Sequence, residues 1–376
     1  MERQKKALQL ASVASMIGKF NMPNIRLLQE QGYHVDVVAN FRNPGGLTRE
    51  LAESLKKELA EMDVNVHDIE IPRSLNPLKI LKAYKVVKKL TETEHYDLIH
   101  CHSPIGSVIC RLAARKERKK GTKVIYTAHG FHFYKGAPLL NWLIYYTIEK
   151  IMARITDVLI TINREDYQRA NEKLKAGRIE YVPGIGVDTD FFKPNPDAGK
   201  RIREELGLSD KDDMILSVGE LNKNKNHIRV IRALKGQPVT YVIVGEGDQK
   251  SVLQKVAIDN NVDVRFLGFR EDVSDIYNAA DVYVLPSLRE GLNVSLMEAM
   301  ACGCTVACSD IRGNRDLIEN ALFDPKSEAE IRTAILKTVG SKDTLGRINR
   351  KKIMAFGIQV VRERMRSVYN AASDQK

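Results

Sequence analysis

Short apolar runs alternate with amphipathic stretches along the whole chain. The runs that read as strands are residues 7–13, 34–39, 98–102, 123–128, 158–162 and 179–182 in the first half. In the second half they are 214–218, 241–244, 264–267, 282–285 and 305–308. Between them, apolar positions recur at helical spacing. Two successive strand–helix–strand series predict an α/β protein with two doubly wound, Rossmann-like parallel sheets. Residues 188–200, with Pro194, Asn195 and Pro196, read as the linker between them. Ligands of open parallel sheets bind beyond the carboxyl ends of the strands, so two such domains facing each other predict a site in the cleft between them.

Residues 281–310 show the pattern most completely. Val282 to Leu285 is a buried-strand run stopped by Pro286 and Ser287, and Leu292, Leu296, Met297, Met300 and Ala301 then recur at helical spacing up to Gly303. Glu290 stands at the mouth of this helix and Glu298 two turns in. Eight helical residues rise roughly 12 Å, comparable with the reach from a sugar ring across a diphosphate to a ribose. A carboxylate only accepts hydrogen bonds, which suits a sugar diol, and the free N–H groups of a helix start favour phosphate. Gly291 allows close backbone approach. The stretch therefore reads either as a nucleotide-sugar cradle or as a buried strand–helix unit whose glutamates are solvated.

At 376 residues the chain is too long for one ordinary core, which supports two domains. Lys and Arg number 59 against 48 Asp and Glu, a net charge of +11. Residues 1–190 hold 30 basic and 22 acidic residues, so +8 of that excess lies in the first half. The basic runs 79–89 and 111–123 fit either solvated helix faces or contact with an anionic membrane surface. Nucleic acid is not expected, because no reader motif accompanies the charge. Five cysteines without a secreted-type framework suggest a reducing cytosol, and no signal peptide is expected ahead of the first strand. The apolar segment 142–162 is interrupted by Glu149, Lys150, Arg154 and Asp157, so it is not expected to span a membrane.

Several positions carry candidate chemistry. Residues 15–21 read as a loop after the first strand, with Gly18 either admitting a phosphate or sugar or serving a plain turn. His100 and His102 fall on one strand face and read as a packed, hydrogen-bonded pair rather than metal ligands. Cys302, Cys304 and Cys308 match no zinc spacing. Asp188 and Asp190 read as turn chemistry. His129 ends a strand and precedes Gly130, where it would face a cleft and suits proton handling or an electrophilic hydrogen bond. Lys225, approaching a helix after a strand end, suits a diphosphate leaving group. Gly245 and Gly268 end the next strands, with Arg270 close behind.

With these pieces placed, the chain resembles the retaining family 4 glycosyltransferases of GT-B fold over nearly its whole length. The matching motifs are Thr127-Ala128-His129-Gly130, residues 182–188, 218–226, 244–247 and 289–301. Residues 129–142 and Arg312-Gly313-Asn314-Arg315 are similar to the capsular and exopolysaccharide transferases of bacteria. The resemblance implies an acceptor-binding domain at 1–190, a nucleotide-sugar-binding domain at 191–355, and a terminal helix within 356–376 packing back on the first. It implies that Glu298 binds the donor ribose. Glu290 would hold the donor sugar, with Gly291, Leu292 and Asn293 touching sugar and diphosphate. Lys225 would bind the diphosphate, backbone near Arg270 the base, and His129 would stabilise the transition state.

No metal or cofactor is implied beyond a UDP-sugar donor. The implied acceptor is a polyprenyl-diphosphate-linked saccharide, met at the inner face of the plasma membrane by a cytoplasmic, peripheral enzyme. A UDP-sugar 2-epimerase of the same fold and a non-catalytic donor-binding subunit are the alternatives. Two departures from the family pattern stand out. Glu220 occupies the place of an arginine that usually accompanies the lysine, and residues 318–325 lack a glycine turn and a complete strand.

Overall fold

In the computed structural model, which describes residues 3–339 and 341–374, the chain divides into two compact units. One runs to Ile185 and resumes at Val361; the other spans Gly186–Val360. The first boundary therefore falls before residue 190, because Val187 already pairs with Gly357 inside the second unit.

The first unit contains β1 (Lys5–Leu10), β2 (Tyr33–Ala39), β3 (Asn65–Asp68), β4 (Leu98–His102), β5 (Lys123–Ala128), β6 (Val158–Thr161) and β7 (Arg178–Tyr181). Their order is β3-β2-β1-β4-β5-β6-β7, with every neighbouring pair parallel. Helices cover both faces, so a central strand such as β4 is buried at all five positions, its two histidines included. β3 is an edge strand of sequence Asn-Val-His-Asp, partly exposed, and it lacks the apolar run that marks the others. The helix Ile358–Ser373 inserts Val361, Met365, Val368, Tyr369 and Ala372 into the core that also holds Ala7, Val35 and Val37. That one-sided spacing fixes its packing, each larger side chain contributing about 1.5–3 kcal/mol.

The second unit contains β8 (Asp213–Val218), β9 (Val239–Val244), β10 (Asp263–Gly268), β11 (Val282–Leu285), β12 (Thr305–Ser309) and β13 (Leu322–Phe323), in the order β10-β9-β8-β11-β12-β13 and again all parallel. The irregular stretch 318–325 forms β13, only two residues long, opposite Cys308 and Ser309 at the sheet edge. Ala321 enters it at φ 62, a left-handed conformation that costs a residue with a Cβ roughly 1–2 kcal/mol. Ala321→Gly should therefore raise unfolding stability by about 1 kcal/mol in a denaturant titration. A lower midpoint would mean that the alanine is unstrained.

In each sheet the chain order reverses once, between β1 and β4 and between β8 and β11. The crevice beyond the carboxyl ends of the strands at such a reversal is where ligands of this architecture sit. No helix among the described residues is long and apolar enough to cross a membrane.

Candidate active site

In the second unit the loops after β8 and β11 are sewn together at the reversal. Leu288 N–H donates to Asn224 O at 2.8 Å, and the Asn224 amide donates to Arg289 O at 2.9 Å. Asn226, left-handed at φ 57, donates its amide to Pro286 O and Pro325 O. Asparagine tolerates this backbone conformation better than most residues. These bonds bring Lys225 to Glu290, Nζ to Oε1 2.8 Å, with both side chains largely shielded from solvent. Gly245 lies behind this loop at φ 136, where an added Cβ would fall 2.0 Å from Gly219 O. Its glycine serves close strand-end packing.

The helix Val294–Ala301 starts from the same place. Asn293 caps it, its side-chain oxygen accepting from Leu296 N–H at 2.9 Å. Gly291 and the buried Leu292 lead into the cap. Midway along the helix, Glu298 accepts from the Tyr277 hydroxyl at 2.9 Å. Burial raises the Glu298 carboxyl above its ordinary value, against the lowering effect of that bond. One carboxylate thus stands just before this short helix, paired with a cation, and the other midway along it, braced by a phenol. Arg270 is tied by its guanidinium to Glu205 and Asp272, so the backbone beside it is what it leaves for a ligand. Glu220, in the place of the family's arginine, is exposed and accepts from Asn222. The cation that sequence reasoning missed is Arg312, buried, with Nε 3.3 Å from Glu290 O. Gly313 beside it permits this approach, since a Cβ there would lie 2.1 Å from Gly291 O.

In the first unit a cavity of about 500 Å³ opens at the β1/β4 reversal, lined among others by Ser12, Arg73, Ser103, His129, His132 and Tyr145. Gly18 is not part of it. Residues expected as a loop form the helix Ala14–Phe20, in which a Cβ at Gly18 would lie 3.1 Å from Leu55 Cδ2. Gly18 therefore makes room for Leu55 within a helix, and the expectation of a loop over these residues is corrected.

His129 is partly exposed at the end of β5 and is joined to a buried polar chain. Its Nε2 lies 3.1 Å from His102 Nδ1, and His102 Nε2 lies 3.2 Å from Gln9 Oε1. The Gln9 amide nitrogen faces the Tyr369 hydroxyl and His100 Nδ1, and His100 Nε2 faces Thr127 Oγ1. With the Gln9 amide in that orientation its oxygen only accepts, so His102 carries its proton on Nε2. Burial holds His102 neutral, its pKa well below the usual value, so its Nδ1 accepts from His129 Nε2–H. Although the residue's edge is partly exposed, the protein packed around its ring strips enough water to bring the His129 pKa down to about 4. His129 is thus a neutral ring with a lone pair left on Nδ1, an acceptor rather than a cation. His100 and His102 are both buried, consistent with a structural pair.

Replacing Glu298 with alanine removes a charged acceptor suited to a ribose diol. For the donor that the resemblance implies, affinity should fall about 10–100-fold, the worth of one or two charge-assisted hydrogen bonds. Because its pKa is raised, wild-type affinity should also decline earlier on acidification than an exposed glutamate would allow. Calorimetric binding of a UDP-sugar checks both, and unchanged binding by Glu298→Ala would remove the residue from the site.

A family model described as Glycosyl transferases group 1 matches residues 199–353, and one described as Glycosyltransferase Family 4 matches residues 25–191. EpsD of Bacillus subtilis (strain 168) is 36% identical over 386 aligned residues, covering 98% of this chain and 97% of EpsD. The UDP-Gal:alpha-D-GlcNAc-diphosphoundecaprenol alpha-1,3-galactosyltransferase of Escherichia coli is 28% identical over 325 residues, 83% of this chain and 81% of that enzyme. Among solved structures, Anabaena Alr3699/HepE in complex with UDP superposes with a TM-score of 0.76 at 18% identity, covering 98% of this chain and 100% of that one. Two parallel sheets of this order and matches spanning both units lead to one assignment: the chain belongs to the family 4 glycosyltransferases of GT-B fold.

Proposed function

We propose that the protein transfers a hexose or N-acetylhexosamine from a UDP-sugar to a polyprenyl-diphosphate-linked saccharide during surface polysaccharide synthesis, with retention at the anomeric carbon. The observation that carries the donor half is the pair of carboxylates, Glu290 just before the helix Val294–Ala301 and Glu298 midway along it, with Lys225 beside the first. Glu298 accepts from the ribose hydroxyls. On donor binding the Lys225 ammonium exchanges the Glu290 carboxylate for the diphosphate, and Glu290 then accepts from the sugar hydroxyls. The amides at the start of the same helix meet the remaining phosphate charge. His129 offers its Nδ1 lone pair to a hydroxyl of the transferred sugar.

As the glycosidic bond breaks, its electron pair leaves with the UDP oxygen, where Lys225 is worth more than in the ground state. The acceptor hydroxyl attacks the same face, and the departing phosphate takes its proton. The leaving-group charge is met by side chains and amides, so the reaction needs no metal. The acceptor half is supported by relatives such as the E. coli enzyme, which by its name acts on alpha-D-GlcNAc-diphosphoundecaprenol. In the first unit, exposed Arg73 at the cavity edge suits the acceptor diphosphate.

The test is incubation with a panel of UDP-sugars and a short-chain polyprenyl-diphosphate saccharide, with and without chelator. The expected result is UDP release with a glycosylated product of retained configuration, unaffected by chelator. An epimeric UDP-sugar formed without acceptor, or donor binding without turnover of any acceptor, would contradict the proposal.

A further inference from the structure

The second unit holds a cavity of about 870 Å³ that the donor reading does not use. Ala280, ahead of β11, and Cys304, just before β12, both line it. It therefore lies at the amino ends of these strands, whereas Lys225 and Glu290 follow the carboxyl ends of β8 and β11. Its walls are the helices Pro196–Glu205 and Lys342–Ile353. Each rests directly on neighbouring backbone: a Cβ on Gly199 would fall 2.4 Å from Asn278 O, and one on Gly346 2.1 Å from Gly303 O. Two guanidinium groups then fix these walls. Arg203 donates to Ala279 O at 2.8 Å and pairs with Asp281 at 3.0 Å. Arg350 donates to Phe192 O at 2.8 Å and to Thr189 O at 2.9 Å. The space is thus held open by the chain's own bonds and is preorganised for an occupant.

Its charge is one-sided. Among the described residues the lining carries five basic side chains against a single carboxylate, that of Asp210. Lys200 and Lys351, one on each wall, are exposed and make no salt bridge with the described residues. Arg203 is 8% exposed, and its buried Nε–H has no partner among the described residues, a donor that costs stability unless something accepts from it. Pro194, Pro196 and Met354 add an apolar surface beside these cations. A cleft with one sign of charge and low-dielectric walls concentrates the opposite ion. The volume falls within the roughly 300–1,000 Å³ of small-molecule sites, and the apolar surface suits a ring better than a free inorganic ion.

We propose that this cavity is a second ligand site, for a small organic phosphate whose ring lies against Pro194, Pro196 and Met354 and whose phosphate oxygens accept from Lys200 and Lys351. It is separate from the donor site and goes beyond the transferase reading, on which it does not depend.

The test uses pyridoxal 5′-phosphate, a ring that carries both a phosphate and an aldehyde, on the full chain. Its aldehyde condenses with a lysine amine and releases water, borohydride reduces the imine to a stable amine, and peptide mass mapping locates the label. Lys200 and Lys351 should be labelled at about tenfold lower reagent than Lys235 and Lys255, which are exposed and outside the cavity lining. ADP should protect both cavity lysines, and adenosine should not. Lys200→Glu should cut labelling of Lys351 about tenfold, the worth of one charge-assisted hydrogen bond, with the thermal midpoint unchanged because Lys200 is exposed and unpaired. Mapping separates these labels from any at Lys225, so failure of the donor site would leave the result readable. Equal labelling of all exposed lysines, protection by adenosine as strong as by ADP, or labelling of Lys351 indifferent to Lys200→Glu would overturn the proposal.

Discussion

Lys225→Ala is expected to lower turnover roughly 10²–10³-fold, the usual cost of removing one preorganised group from a developing charge. Two losses combine in this variant. In the proposed reaction the departing diphosphate loses its ammonium, and Glu290 is left largely shielded without the partner that holds it at 2.8 Å. The double variant Lys225→Ala/Glu290→Gln separates them. Glu290→Gln removes the stranded charge while keeping an oxygen for the sugar hydroxyls, so the double variant should recover only the part of the loss that the uncompensated carboxylate causes. Exposed Glu220 cannot substitute for the lysine, and Lys223, also exposed, stands outside the bonded loop core. Turnover within about threefold of wild type for Lys225→Ala would exclude the residue from leaving-group stabilisation.

The second large effect concerns His129. His129→Ala should reduce turnover about 100-fold while donor affinity changes far less, since the lone pair matters most as charge develops on the sugar. Its form is fixed from a distance by Gln9 through His102, so Gln9→Leu should slow turnover without touching a ligand. Nitrogen NMR separates this from misfolding: the His129 ring should lose its single Nε2–H tautomer in Gln9→Leu. With its pKa at about 4, His129 stays neutral across the working range, so no acid limb near the usual 6.5 should appear in the turnover profile. Stability has the opposite sensitivity. His100, His129 and His227 have folded pKa values depressed to about 3, 4 and 3 from 6.5. Each contributes stability that is present above 6.5 and is lost as pH falls toward the folded value. Acid unfolding should therefore begin below 6.5, and a midpoint insensitive to pH in that window would show these rings to be open to water.

What the amino-acid pattern reveals here follows from what each element buries. β6 and β11 are enclosed on both faces and stand out as apolar runs. β3 is a polar edge and β13 has two residues, so neither leaves a periodic signal. The helix Ala14–Phe20 was hidden by its glycine, whose reason is Leu55, thirty-seven residues on. The spacing of Glu290 and Glu298 is local and therefore readable, whereas their partners are not. Tyr277 and Arg312 reach them from separate elements, and the Gln9–Tyr369 contact joins residues 360 apart. The glycine missing before β13 was visible in the sequence, but only φ 62 at Ala321 gives its consequence.

The claim on which the account turns is that the second unit clasps a uridine nucleotide along the helix Val294–Ala301. Thermal unfolding of the wild-type protein across a UDP titration, with GDP as the control, measures this directly. A ligand at a hundredfold its dissociation constant adds about 2.7 kcal/mol to stability, so the midpoint should climb steadily with UDP and stay nearly level with GDP. A midpoint that ignores UDP at every concentration, or rises equally with GDP, would contradict the account.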